Sequence, residues 1–231
     1  MSDRKLDARI VKVGGSLLDC PSLPEALQNW LAQQSPATNV LICGGGEVAE
    51  TIHRADQAFS LGEEKSHWLA MDAMSLTARL LAAILGSAPP CENIAELHAA
   101  MRQPQPTAVL FDPAEFLGEH EPRLPGVPLP RTWQVTSDSI AARIAEVLAA
   151  DELVLLKSSD PPAATLPELS ARGYVDPHFR IAAASLAAVR FVNLRQWRCG
   201  SRENSRQPSP CLPFGGQDKV EAGATARPVC K

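Results

Sequence analysis

The chain reads as an α/β protein: a three-layer αβα sandwich around a mostly parallel central sheet. Three observations predict it. An apolar run at 8–13 leads into Gly14-Gly15-Ser16 and then into a helix-like stretch. The same order returns at 39–43, followed by Gly44-Gly45-Gly46 and a helix opening at Glu47. A third run, Glu152-Leu153-Val154-Leu155-Leu156-Lys157, is apolar almost throughout, as in a strand covered on both faces. Strands separated by amphipathic, helix-length segments form β-α-β units, and those units build parallel sheets.

In the first strand Val11 and Val13 alternate with Lys12, so the lysine lies on the opposite face. Gly14 and Gly15 have no side chain to keep an anion from their N–H groups, and Lys12 adds a positive charge beside them. A glycine pair after a strand is also what an ordinary turn uses. The recurrence at Gly44-Gly45-Gly46 points instead to two anion sites at the strand ends of one sheet, with helix N-termini favouring negative charge.

Residues 23–34 have helical spacing, with Leu23, Leu27, Trp30 and Leu31 on one face and Ser22 as N-cap. The helix from Glu47 carries Val48, Ile52 and Ala55 on its apolar side and His53, Arg54 and Asp56 elsewhere. Arg54 is a candidate substrate contact because this helix starts at the glycine loop, although such charges commonly just face water. Residues 66–85 form a long helix in which Leu69, Leu76, Leu80 and Ile84 mark the apolar face, widened by Met71, Met74, Leu81 and Leu85. Such a helix is buried in a core or in an oligomer interface, which predicts a homo-oligomer. His67, Asp72 and Arg79 sit at its edges or need partners; the functional reading has His67 and Asp72 lining a substrate pocket.

A third strand is expected at 107–111, ended by Asp112-Pro113, and an ordered surface loop at 119–131. Ser137 or Asp138 would cap a helix running to about Ala150. The lysine-terminated strand 152–157 ends where open α/β sheets place ligands. A polar loop spans 171–180 and a final strand 186–193. From Cys199 the composition shifts to Ser, Arg, Pro and Gly, which divides the chain into a 1–199 domain and a disordered 200–231 tail.

With 231 residues and 45% hydrophobic content, the chain can bury a sizeable core. A net charge of -4 without a basic block gives no reason to expect nucleic acid as partner. The most apolar stretch, 68–85, is interrupted by Asp72 and Arg79, so no membrane span is expected. Residues 1–7 lack the apolar centre of a signal peptide, which makes the cytoplasm the expected location. The six cysteines include no Cys-x-x-Cys pair, and no metal-binding cluster is expected.

Taken together, Lys12-Val13-Gly14-Gly15-Ser16, the Gly44-Gly45-Gly46 loop, Thr136-Ser137-Asp138-Ser139 and Leu155-Leu156-Lys157 resemble, in order, the motifs of the amino acid kinase superfamily over residues 8–195. The segment Gly44–Glu50, the His67-Trp68-Leu69-Ala70-Met71 stretch and Phe191-Val192-Asn193-Leu194-Arg195 are most similar to its small kinases of methanofuran biosynthesis, which act on aminomethylfuranyl-methyl phosphate. The resemblance implies ATP and Mg²⁺, and transfer of the γ-phosphoryl group to a phosphate- or carboxylate-bearing metabolite. It implies Lys12, Asp138 and Lys157 as catalytic groups, with Asp138 orienting the lysines. By the same resemblance Gly14, Gly15, Ser16, Lys157, Tyr174 and Asp176 contact ATP, and Gly44, Gly45 and Gly46 hold the acceptor. Two segments depart from the pattern: Ser158-Ser159-Asp160-Pro161-Pro162 after Lys157, and Arg198-Cys199-Gly200-Ser201 after Trp197.

Two other readings stay open. A non-catalytic relative could bind nucleotide or oxyanion through the same loops. Gly44-x-Gly46-x-x-Ala49, with Glu63 or Glu64 downstream, also fits a dinucleotide-binding fingerprint. That motif leaves Lys12 and Asp138 without a role.

Overall fold

A computed structural model describes residues 8–103 and 107–197. The expectations for 1–7 and for the 200–231 tail lie outside the described residues. Five parallel strands form one sheet: β1 (Ala8–Val13), β2 (Thr38–Cys43), β3 (Ala108–Leu110), β4 (Glu152–Lys157) and β5 (Val189–Asn193), in spatial order β3-β2-β1-β4-β5. Expected ends shift by one to three residues at β3 and β5; Phe111, expected in β3, makes only an isolated bridge to Cys91.

Helices cover both faces. α1 (Leu23–Ala32) packs Leu27 and Trp30 onto the face that carries Val11, Val13, Val154 and Leu156. On the other face, Ile10, Ile42, Leu153 and Leu155 meet α5 (Ser137–Val147) through Ile140, Ala141 and Ile144. The short helices α4 (Ile94–Met101), α6 (Leu166–Ala171) and α7 (Phe179–Ala182) complete that layer with Leu97, Leu169 and Phe179.

α2 (Gly46–Phe59) and α3 (Glu63–Leu85) form a helical hairpin. α3 is 23 residues long and, against expectation, apolar enough by length and composition to cross a membrane. It nevertheless contributes to both cores, with Ala70, Met71 and Met74 on one face of the sheet and Ala78, Leu81 and Ala82 on the other. The leucines expected to mark its buried side do not: Leu69, Leu76 and Leu80 are 38%, 54% and 46% exposed. Small residues and methionines let the helix approach the sheet closely; Leu81 is buried with them, while Leu69, Leu76 and Leu80 are left outside.

Candidate active site

The alternation of β1 puts Ile10 and Lys12 on the α5 side of the sheet, and the alternation of β4 does the same for Leu155 and Lys157. Both lysines therefore reach the same carboxylate, that of Asp138 in the first turn of α5. Lys12 Nζ lies 2.8 Å from Oδ1 as an ion pair, and Lys157 Nζ donates to Oδ2 at 2.6 Å. Side-chain exposure is 7%, 14% and 5% for Lys12, Lys157 and Asp138. Burial alone would raise the Asp138 carboxyl, but the two ammonium groups outweigh it and hold the pKa below the usual carboxylate range. Burial, then the charge of Lys12, pushes Lys157 down to about 8, against the pull of Asp138.

The two glycine loops are one structure. Gly14 N–H donates to Leu156 O and Gly44 N–H to Val13 O, both at 2.9 Å. A Cβ on Gly15 would fall 2.3 Å from Gly46 N, and one on Gly44 would fall 2.8 Å from Ser137 Oγ and 3.2 Å from Lys12 Cε. Gly46 also has φ +57°, a conformation that favours glycine. The glycines thus bring the ends of β1 and β2 together over Lys12, and the two expected anion sites adjoin. Ser16 Oγ donates to Ser158 Oγ at 3.0 Å, tying the first loop to the end of β4.

The expected nucleotide residues divide. Tyr174 is at the cluster: its carbonyl accepts from Lys157 Nζ at 2.7 Å, its ring lies 5.2 Å from that nitrogen, and its hydroxyl donates to Ser159 O at 3.0 Å. Asp176 is 6% exposed, and its carboxylate accepts from Thr136 N, Thr136 Oγ1, Ser139 N and Ser139 Oγ. It is the effective cap of α5, which leaves little of it for a nucleotide. Thr136, rather than Ser137 or Asp138, occupies the N-cap position. This frees Asp138 for the lysines, and nothing in the local sequence could reveal a cap supplied from 37 residues away.

The expected acceptor residues also divide. His67 is buried at 7% exposure, whereas Asp72, five residues on, is exposed on another side of α3, so they do not share a pocket. Arg54 is exposed and donates along its own helix to Glu47 and Thr51 at 2.8 and 2.9 Å. Two residues without an assigned role in the sequence, Trp133 and Arg131, stand beside the hairpin instead. Trp133 Nε1 donates to Asp56 at 2.8 Å and its ring lies 4.5 Å from His53. Arg131 donates to Glu64 at 3.0 Å and lies over Trp68 at 5.0 Å. Arg143, 1% exposed, joins Glu121 to Glu146. A cavity of about 420 Å³ at the β3 edge is lined by Leu27, Leu31, Leu85 and Val109 and has no charged group for phosphoryl chemistry among its described lining residues.

The model of the amino acid kinase family matches residues 7–161. The [5-(aminomethyl)furan-3-yl]methyl phosphate kinase of Methanocaldococcus jannaschii is 30% identical over 157 residues, covering 65% of this chain and 66% of the relative. The match thus spans just under two thirds of that protein. Among solved structures, uridylate kinase from Archaeoglobus fulgidus aligns at TM-score 0.53 and 17% identity, over 78% of this chain and 88% of that one. The UMP kinase of Bacillus anthracis aligns at TM-score 0.57 and 12% identity, over 84% and 89%. Aspartate kinase from Synechocystis aligns at 0.58 and 13%, over 90% of this chain and 40% of the longer enzyme.

Proposed function

Because the chain belongs to the amino acid kinase family, we propose that it is a cytoplasmic ATP-dependent kinase that phosphorylates a small phosphate-bearing metabolite. The favoured acceptor is [5-(aminomethyl)furan-3-yl]methyl phosphate, the substrate in the name of the Methanocaldococcus jannaschii relative. The observation that carries this reading is Asp138 holding Lys12 and Lys157 together where the two glycine loops meet.

Phosphoryl transfer between two phosphates needs them close and in line, with the charge on the migrating group neutralised. The Gly14-Gly15 loop suits the ATP phosphates and the Gly44–Gly46 loop the acceptor phosphate. Lys12 lies between them and supplies the neutralising charge. Asp138 fixes its direction and limits the repulsion between the two ammonium groups. The acceptor phosphate is already ionised, so no protein base is required. Among the described residues no cluster of three His, Cys, Asp or Glu could hold a metal. Mg²⁺ therefore fits this site as a partner of the ATP phosphates, where it would offset their charge.

Turnover decides between this and a binding module of the same fold. ADP release from Mg-ATP is measured with [5-(aminomethyl)furan-3-yl]methyl phosphate, UMP, acetylglutamate, aspartate and carbamate, for the wild type and Lys12→Ala. Turnover with one acceptor, lost in the variant, supports the kinase; ATP binding without any turnover favours the module. The dinucleotide reading is disfavoured by topology, since its fingerprint belongs after the first strand and Gly44–Gly46 follow β2.

A homodimer belongs to the same proposal. Leu69, Leu76 and Leu80 form an exposed stripe on α3, with Asp72 and Arg79 two turns apart. Antiparallel pairing about a two-fold axis between Ser75 and Leu76 would set each Asp72 against the partner's Arg79. Light scattering should give a dimer for the wild type and a monomer for Leu76→Glu.

A further inference from the structure

A cavity of about 260 Å³ lies beneath the proline-rich loop 121–131, outside the lysine cluster. It is lined by His67, Glu121, Arg131, Leu117, Leu129 and two prolines. His67 and Glu121 are 7% and 3% exposed. Among the described residues the His67 ring makes no hydrogen bond, although it faces this space. Burial, then the neighbouring Arg131, lowers its pKa, so at neutral pH it is an uncharged imidazole with one accepting nitrogen.

Glu121 Oε1 accepts from Arg143 Nε at 3.0 Å and from Leu129 N at 3.2 Å, while Oε2 has no partner among the described residues. Arg143 is shared with Glu146, whose carboxylate lies 2.6 Å away. Arg131 also lines the cavity, and Glu64 holds its guanidinium at 3.0 Å over the face of Trp68. The cavity therefore combines two hydrogen-bond acceptors without partners among the described residues, one carboxylate and one guanidinium, and walls of leucine and proline. Its volume suits a small ring rather than an extended ligand.

Its position relates it to the acceptor loop. A Cβ on Gly45 would lie 3.7 Å from Met74 Cγ. Met74 is seven residues along α3 from His67, a rise of about 10 Å. We propose that this cavity is the subsite for a primary amine carried on a small apolar ring, at the end of the acceptor remote from its phosphate. The amine donates to Glu121 Oε2 and to His67, and the ring rests on Leu117 and Leu129. The proposal rests on the kinase reading only for the identity of the ligand; binding at the cavity can be read without turnover.

The probe is furfurylamine, a furan ring with an aminomethyl arm and no phosphate, with 2-methylfuran as the amine-free control. Calorimetry on the full chain gives affinities, and the histidine ring protons in the NMR spectrum, assigned with His67→Phe, give the location. Furfurylamine should bind and shift the His67 signals, 2-methylfuran should not, and Glu121→Gln should weaken binding about tenfold or more. Because Glu121 also holds Arg143, its variant is paired with His67→Phe, which keeps the ring volume, removes the accepting nitrogen and should also weaken binding. Unmoved His67 signals, equal binding of 2-methylfuran, or wild-type affinity in folded Glu121→Gln would overturn the proposal. A failed kinase reading would show separately, as absent ADP formation with an intact furfurylamine isotherm.

Discussion

Two charge clusters in this molecule, one buried and one partly exposed, have the same composition, one carboxylate between two cations, and occupy opposite ends and opposite faces of the sheet. At the C-terminal end, on the α5 side, Asp138 joins Lys12 and Lys157. At the N-terminal end, on the α1 side, Glu152 joins Arg9 Nε at 2.7 Å and Arg190 Nε at 2.9 Å. The difference lies in what the cations have left over. Arg9 also donates to Asn39 and Ser35, and Arg190 to Gln34, while the Arg190 guanidinium lies 5.6 Å from the Trp30 ring. Those planar forks are permanently charged and held by protein groups, so the cluster ties β1, β2, β4, β5 and α1 together. Among the described residues Lys12, which faces the glycine loops, has Asp138 alone as its ion-pair partner, and burial lowers the Lys157 pKa to about 8. A buried charge cluster marks a reactive site when its cations retain donors for a ligand.

The largest effect expected of that contrast is on turnover. Lys12→Ala removes a preorganised charge from the path of the phosphoryl group and should lower kcat about a thousandfold. Thermal melting should show a much smaller change, since the truncated group is a cation that burial disfavours. Next come the two carboxylates. Asp138→Asn leaves two cations without a buried counter-ion and should cost about 3–5 kcal/mol in denaturant titrations, and Glu152→Gln, at a carboxylate 23% exposed, should cost less. Only Asp138→Asn should also abolish turnover; Glu152→Gln should keep the wild-type rate at temperatures where it is folded. A smaller loss, about 1–2 kcal/mol, is expected for Asp176→Asn, which weakens the cap of α5. It should also lower kcat, because α5 positions Asp138.

The Lys157 cluster also differs from the arginine cluster in its response to pH. The folded Lys157 pKa of about 8 lies below the 10.5 of an ordinary lysine, so the folded state binds this proton less tightly than the unfolded state does. The penalty for charging it is fully present below about pH 8 and is relieved as pH rises toward 10.5, so stability from this group increases across that window. Activity should move the other way, with the apparent KM for ATP rising above about pH 8 as free enzyme loses the Lys157 charge. Lys157→Arg, which stays protonated, should flatten that limb of the profile.

Much of this was legible in the sequence because strand period and glycine placement are local signals. The parity of β1 set the face of Lys12, and the lysine-terminated run of β4 placed Lys157 at the end of the sheet where ligands bind, though not on a particular face. The glycine loops were visible as repeats; their interlocking was not, because contact between Gly15 and Gly46 depends on β1 and β2 being neighbours. The role of Asp176 was hidden for the same reason. α3 misled through side-chain size, since leucine spacing suggested the buried face and the sheet selected Ala70, Met71, Met74 and Ala78. Glu121 and Arg143 lie 22 residues apart across a proline-rich loop, a separation that periodicity cannot bridge.

The most direct test of the central claim compares phosphoryl transfer from Mg-ATP to [5-(aminomethyl)furan-3-yl]methyl phosphate by the wild type, Lys12→Ala and Glu152→Gln, each assayed below its own melting transition. Turnover is expected of the wild type and Glu152→Gln, with a loss of about a thousandfold in Lys12→Ala. Equal rates for the wild type and Lys12→Ala would contradict the claim.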